Sequence, residues 1–241
     1  MKIEIIPINK EHEYFIENYP PQLANKFLPK WYKDMKISTH YKHWVSATEG
    51  HKDEYMTAKN CPAIQDLLIQ GIVIPLWGNL WFHTNELENG IVEQHWDFSG
   101  RYANNKDINS IISKHKEIQY LNTGLKDTVS KELLKIQMPY KIIVPEGYSI
   151  LYSDPFYHFR NDIRCLTGLV EADKWGFVTF PFEILKNSFE IKAGEPLIHA
   201  LFIKREDKIE LINRLGTDEE YKLNDNQNNK LFVSGTNYKN W

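Results

Sequence analysis

The stretch GLVEADKWGFVTFPF, residues 168–182, constrains the fold more than any other part of the chain. A glycine-led apolar triplet runs into an acidic turn, and β-branched and aromatic residues follow the second glycine. Short apolar runs of this kind, separated by turn residues, are typical of β-strands. The stretch therefore predicts two strands joined through residues 171–176.

The same pattern extends through the C-terminal half of the chain, from residue 139 onward. Turn signals such as Pro145-Glu146-Gly147 and Ala193-Gly194 separate segments that favour strands. These segments are YKIIV, YSILYS, RCLTGLV, GFVTFPF, FEI, PLIHALFIKR and KIELINRL. The spacing predicts a mainly β protein with a few helices (α+β), closer to a barrel or sandwich than to βαβ units.

The N-terminal half mixes helix and strand signals. Residues 60–71, NCPAIQDLLIQG, predict a helix with Pro62 in its first turn and Gly71 at its end. Apolar residues at helical spacing predict further helices at residues 107–118 and 127–136. Strands are predicted for IVIPLW, NLWFH and GIVEQHWDF, and NDNQNN near the C-terminus is expected to be a polar loop.

The distribution of these elements suggests how the chain is organised. Residues 1–60 are rich in aromatic residues and interrupted by prolines, so we expect an extended arm. Residues 61–241 are expected to form a single β-rich domain, with its core at about residues 139–215. No Ser/Gly-rich linker separates the two halves of the chain.

Composition narrows the classes of function. Apolar residues make up 42% of the 241 residues, enough for a sizeable core, and the formal net charge is −3. This charge gives no general reason to bind nucleic acid or an anionic membrane. The most apolar window, residues 67–82, is short for a membrane span and contains polar residues and Pro75. We therefore expect a soluble protein.

Residues 139–206 resemble the β-clip scaffold of dUTPases and dCTP deaminases. Three motifs of that family have counterparts here, and the matching positions are Pro145, Gly147 and Tyr148, then Gly168, Val170, Glu171, Asp173 and Gly176, then Ile191, Gly194 and Ile198. The resemblance implies a β-clip barrel in the C-terminal half, with a helix-containing N-terminal elaboration.

The departures from that family concern its catalytic groups. The aspartate that activates water and the tyrosine that packs on the deoxyribose are replaced by Glu171 and Lys174. The family's arginine-serine-serine phosphate motif is missing near LYSDP. We therefore expect that the chain keeps the scaffold and has lost the enzymatic activity. The turn at residues 171–176 is expected to be structural, with its acidic side chains exposed to solvent at its tip. Gly168 and Gly176 would set its backbone, and Trp175 would pack.

A divergent nucleotide pyrophosphatase or deaminase is the first alternative. Its catalytic base would be Glu171 or Asp173. Phosphate and ligand contacts would come from basic and aromatic side chains nearby in sequence: Arg160, Arg164, Lys174 and Trp175.

A longer set of segments, from LPKWYKDM to IKAGEPLIHALFIKR, resembles an uncharacterised protein family encoded by tailed phages, notably marine ones. This resemblance implies a viral accessory or virion-associated protein in the infected host cytoplasm or the virion. Proteins with the β-clip scaffold often form trimers, so we expect a homo-oligomer, a trimer being favoured, or contacts with other virion proteins.

The second alternative is an Fe(II)/2-oxoglutarate oxygenase. His95 and Asp97 are two residues apart on a predicted strand, so both would face the same side, as a facial-triad iron site requires. His158 or His199 would be the distal ligand, and Arg205 or Arg214 would bind the co-substrate carboxylate. Beyond this alternative, the sequence indicates no particular cofactor.

Overall fold

The computed structural model describes residues 1–42, 52–86, 92–99, 112–115, 120, 133–176, 178–206 and 210–234. Within these ranges the chain is mainly β with a few α-helices. The strands are β1 Glu4–Pro7, β2 Gln22–Leu23, β3 Ser38–Lys42, β4 Lys52–Met56, β5 Ile72–Pro75, β6 Asn79–Glu86, β7 Val92–Ser99, β8 Ile112–Lys114, β9 Leu134–Gln137, β10 Tyr140–Ile143, β11 Tyr148–Ser153, β12 Ile163–Cys165, β13 Gly168–Val170, β14 Thr179–Ile184, β15 Ser188–Ile191 and β16 Pro196–Lys204.

The α-helices are short, except for the last one. They are α1 Glu13–Asn18, α2 Lys30–Asp34, α3 Pro62–Ile69 and α4 Asp218–Ser234. Single 3-10 turns lie at Lys10–His12, Ala24–Phe27 and Ala58–Asn60. In the described part of the chain, no helix has both the length and the hydropathy needed to cross a membrane.

The chain divides into two compact units. The first contains Met1–Phe27 and Gln70–Glu206, and the second contains Leu28–Ile69 and Asp207–Trp241. These bounds differ from the ranges 1–60 and 61–241 expected from the sequence. The candidate site residues belong to the first unit, except Arg214, which belongs to the second.

The first unit is built from antiparallel sheets. The largest has the strand order β13-β11-β16-β5-β2, a second has the order β12-β14-β9-β8, and a third has β15-β6-β7. β1 pairs with β10, while in the second unit β3 pairs with β4. All four residues of β5 are buried, as expected for a strand flanked on both edges, and the register of β16 shifts near Pro196.

An aromatic cluster lies in the core of the first unit. Trp77 is fully buried, and the rings of Phe15, Phe98 and Tyr140 pack edge-on around it at centroid distances of 6.0–6.5 Å. The Tyr140 hydroxyl donates a hydrogen bond to the Tyr19 carbonyl at 3.0 Å. Burial raises the pKa of Tyr140, so this hydroxyl remains a donor.

Two predicted helices are wrong where the structure describes them. Ile112–Lys114, within the predicted helix 107–118, is strand β8, and Leu134–Gln137, which overlaps the predicted helix 127–136, is strand β9. The remaining residues of both windows lie outside the described ranges, except His115 and Leu133, and neither of these two is helical. Ile112 pairs with Ile136, and both are buried, because cross-strand packing of β-branched residues overrides a local helical spacing.

The C-terminal predictions are wrong in two further places. The part of KIELINRL that is described, residues 210–215, forms no strand, and the polar segment 224–229 lies inside helix α4. Thr217 and Glu220 form a capping box, in which each side chain accepts a hydrogen bond from the backbone N–H of the other. This reciprocal cap and the acidic first turn favour a helix.

Candidate functional site

The turn after β13 begins as a single helical turn. The backbone N–H groups of Lys174 and Trp175 both donate to the Glu171 carbonyl, at 3.0 and 2.9 Å. The Glu171 carboxylate pairs with the Lys174 ammonium at 2.5 Å, and both side chains are exposed. The hydrogen bond from Lys174 lowers the pKa of Glu171. Glu171 is therefore a solvated carboxylate, as the sequence predicts.

Asp173 occupies a different environment from Glu171. Its side chain is only 10% exposed and accepts hydrogen bonds from both terminal nitrogens of Arg205. The backbone N–H of Gly147 donates to the same carboxylate at 2.9 Å. Gly147 has a φ of +81°, a left-handed conformation that glycine adopts without strain.

The strand register explains why these groups meet. β11 runs antiparallel to both β13 and β16, so the start of β11 lies beside the ends of its two neighbours. Arg205 follows β16, and its backbone N–H donates to the Gly147 carbonyl at 2.8 Å. A second contact runs from its guanidinium to the Tyr148 carbonyl at 2.7 Å. Asp173 and Arg205 thus join three strand ends, and we call this pair the clasp.

The clasp corrects the expectation that both acids form a solvated tip. The hydrogen bonds from Arg205 and Gly147 hold the pKa of Asp173 well below its usual range. A carboxylate stabilised this strongly is a weak proton acceptor at neutral pH. The guanidinium of Arg205, a candidate for binding an oxygenase co-substrate, is engaged in the same contact.

The predicted packing of this turn is also wrong at three residues. Trp175 is 68% exposed instead of buried. A Cβ on Gly168 would meet open space, whereas one on Gly176 would meet only the flexible end of Lys141. Neither glycine has a positive φ, so neither sets the backbone of the turn.

An open cleft of about 480 Å³ adjoins the turn. Its lining is mostly apolar and consists of Leu169, Val170, Glu171, Trp175, Val178 and Thr179. Leu169 is 60% exposed and lies in β13, which is an edge strand of the described five-stranded sheet. We call this surface the Trp175 cleft.

The structure does not place Arg160 and Arg164 in that cleft. They line a second cleft, together with Asp154 and Phe159. Arg160 donates to both carboxylate oxygens of Asp162 at 3.0 Å, and the Nε of Arg164 donates to Glu183 at 2.5 Å. The two arginines expected to bind phosphate therefore already have carboxylate partners.

The three residues of the oxygenase hypothesis lie in two sheets. His95 and Asp97 are exposed on β7, where the His95 Nε2 lies 3.4 Å from a Glu93 carboxylate oxygen. His199 is buried in β16, with its Nε2 2.7 Å from the Gln70 carbonyl, and burial lowers its pKa. Among the described residues, no group of three or more His, Cys, Asp or Glu side chains is arranged to hold a metal.

Comparison with protein-family models and with curated protein sequences finds no match to this chain. The geometry of the clasp and the two clefts is therefore the basis on which a function can be proposed. Sequence reasoning missed both the clasp and Asp154. The acidic residue of LYSDP and the arginine that ends PLIHALFIKR were the available signals.

Proposed function

We propose that this chain is a non-enzymatic accessory or virion-associated protein of phage type that acts by assembling with copies of itself. The proposed scaffold is a dUTPase-like β-clip. The succession of the Gly147 turn, β11, β13 with its acidic turn, and β16 after the left-handed Gly194 supports that scaffold. The described sheets have open edges and do not close into a barrel. The main support for the scaffold is therefore the order in which these turns and strands follow one another along the chain.

The acidic turn supports architecture over catalysis. A general base needs a carboxylate oxygen that can reach a substrate proton. Asp173 is held by Arg205 and Gly147, and Glu171 pairs with Lys174 at the surface. Both acids therefore have local partners that stabilise the charged form, which favours a structural role for the turn.

The exposure of Trp175 and Leu169 is the observation that carries the assembly proposal. Large apolar side chains that are exposed side by side commonly mark protein–protein contacts. Tryptophan is enriched among the residues that dominate binding energy at interfaces. Here the two side chains line one cleft beside an edge strand, which is a surface suited to pairing with another chain.

A second copy of this chain is the occupant we propose for the Trp175 cleft. The apolar side chains of the cleft are accompanied by Glu171, which lines the cleft and pairs with the oppositely charged Lys174. An apolar centre with a polar rim is the usual anatomy of a stable interface. We favour a trimer because proteins with the β-clip scaffold often form trimers.

Size-exclusion chromatography with light scattering tests the assembly. We expect the wild-type protein to have three times the mass of one chain. Trp175→Ala should weaken association roughly 30-fold, as expected for loss of an interface residue worth about 2 kcal/mol. Because Trp175 is exposed in the single chain, thermal stability under monomeric conditions should change little.

Trp81→Ala is the matched control, because Trp81 is also partly exposed, at 37%, but lies on β6 and does not line the Trp175 cleft. Its oligomeric mass should equal that of the wild type. A monomer at every concentration tested would overturn the assembly proposal. Turnover of a deoxynucleotide with Mg²⁺ that is lost in Asp173→Asn would instead establish the enzymatic alternative.

A further inference from the structure

The loop between β11 and β12, residues 154–162, forms one wall of the second cleft, which has a volume of about 320 Å³. The lining includes Asp154, Phe156, Tyr157, Phe159, Arg164 and Thr167. We call it the Phe159 cleft. None of these residues belongs to the clasp or to the Trp175 cleft.

The backbone of this loop is strained at two aromatic residues. Tyr157 and Phe159 have φ values of 59° and 51°, a left-handed conformation that bulky side chains rarely adopt. Strain of this kind concentrates at binding and catalytic sites, where the surrounding structure enforces it. In this loop it coincides with a Phe159 side chain that is 73% exposed at the cleft.

Contacts on both sides hold the strained loop in place. The Arg160 guanidinium donates to Asp162 through two nitrogens and to the Pro196 carbonyl at 2.9 Å through the third. The Phe156 ring packs against His199 at a centroid distance of 4.7 Å. The cleft is therefore organised before any ligand arrives, which lowers the entropic cost of binding.

The polar groups of the cleft offer both hydrogen-bond acceptors and donors. Asp154 Oδ1 accepts from the Cys165 N–H at 2.7 Å, while its Oδ2 has no hydrogen-bond partner among the described residues. Arg164 uses only its Nε in the described contacts, which leaves its terminal nitrogens as donors. Thr167 adds an exposed hydroxyl that can donate or accept.

The charges around the cleft disfavour an ionic ligand. Two guanidinium groups, Arg160 and Arg164, are accompanied by three carboxylates, Asp154, Asp162 and Glu183. A phosphate would meet arginines that already have carboxylate partners, with Asp154 opposing its charge. A cation would meet the two arginines. The balance favours a neutral ligand with many hydrogen-bonding groups.

We infer that the Phe159 cleft binds a neutral saccharide. Sugar hydroxyls donate and accept hydrogen bonds, so one ring can satisfy Asp154, Arg164 and Thr167 together. The apolar C–H face of a sugar packs on an aromatic ring, and Phe159 presents one beside these polar groups. This binding does not depend on the oligomeric state proposed above.

Binding to an immobilised glycan array, followed by saturation-transfer NMR with neutral methyl glycosides of glucose, galactose, mannose and N-acetylglucosamine, tests the inference. Phe159→Ala should weaken glycoside binding roughly tenfold, the equivalent of about 1.4 kcal/mol. Asp154→Asn should weaken it as well, because the asparagine oxygen can still accept from Cys165 while an amide N–H₂ replaces the open oxygen.

Trp81→Ala is again the control, and it should bind glycosides like the wild type because Trp81 lies outside the cleft. Circular dichroism checks that each variant is folded. The inference is overturned if no neutral glycan binds, or if binding survives both Phe159→Ala and Asp154→Asn. It is also overturned if only nucleosides or anionic sugars bind.

Discussion

Replacing Trp77 by phenylalanine should cost the protein far less stability than replacing it by alanine. The side chain is fully buried, and three aromatic rings pack edge-on against it. Truncating a buried tryptophan to alanine typically costs about 3–5 kcal/mol, because the cavity left behind fills only partly. We expect a loss of that size for Trp77→Ala.

The phenylalanine variant differs because the indole N–H is poorly placed. Among the described residues, the buried Trp77 Nε1 has no hydrogen-bond partner. A buried donor without a partner costs roughly 1–3 kcal/mol, and phenylalanine removes it. The smaller ring loses about 2 kcal/mol of burial, at roughly 0.8 kcal/mol per buried carbon group. The two effects nearly offset, so Trp77→Phe should lie within about 1 kcal/mol of the wild type.

Urea unfolding followed by far-UV circular dichroism measures both variants without relying on tryptophan emission. Tyr140→Phe is the comparison, because it removes a hydroxyl that does have a partner, the Tyr19 carbonyl. That variant should lose about 1–2 kcal/mol. If Trp77→Phe loses more than Tyr140→Phe, the indole N–H is hydrogen-bonded in solution and the reasoning fails.

Three further predictions concern pH and backbone conformation. Because the clasp lowers the pKa of Asp173 from 3.8, its stabilisation is complete above that pH and is lost as the pH falls through the folded pKa; Asp173→Asn should flatten the acid limb of a thermal-melt series. Burial lowers the pKa of His199 from 6.5, so the stability of the protein should also fall as the pH drops below 6.5. The variant His199→Gln should remove this pH dependence. NMR titration of the wild-type imidazole should give a midpoint below 6.5. Gly71→Ala places a Cβ 2.2 Å from the Ala200 carbonyl oxygen at a φ of +74°. This variant should therefore lower the urea midpoint by the equivalent of more than about 1 kcal/mol. Gly168→Ala, whose Cβ meets open space, should change the midpoint little.

The strands from β10 to β16 could be predicted from the sequence because their signals are local. In β10, Tyr140 and Ile142 are buried and alternate with exposed residues, as the period of a strand requires. Helix α3 was predicted for a similar reason, since Pro62 and Gly71 mark its two ends within one short window. Patterns of this kind need no knowledge of distant partners.

The errors arose where a distant partner decides the structure. The spacing of Ile108, Ile111 and Ile112 satisfies a helix, but Ile112 is buried against Ile136 across a strand pair. The clasp posed the same difficulty, because Asp173 and Arg205 meet only once the registers of β11 with β13 and β16 are known. Helix α4 is an exception, because its capping box, Thr217 and Glu220, is a local signal. The polar composition of residues 224–229 nevertheless led to the prediction of a loop.

An acid in a turn between strands does not by itself indicate catalysis. The hydrogen-bond partners of Asp173 and Asp154 distinguish a structural carboxylate from one that is able to contact a ligand. Asp173 accepts hydrogen bonds at both of its oxygens, from Arg205 and from Gly147, so its charge is used to join strand ends. Asp154 has one oxygen fixed by the Cys165 N–H and the other directed to no described partner, in a cleft whose backbone is strained. Burial raises the pKa of Asp154, while the Cys165 N–H and the neighbouring Arg160 and Arg164 favour its charged form, so the open oxygen remains a hydrogen-bond acceptor. The resemblance suggests catalysis at the turn, residues 171–176. The contacts of the two carboxylates instead favour the loop at residues 154–162 as the functional site, and ligand binding as its role.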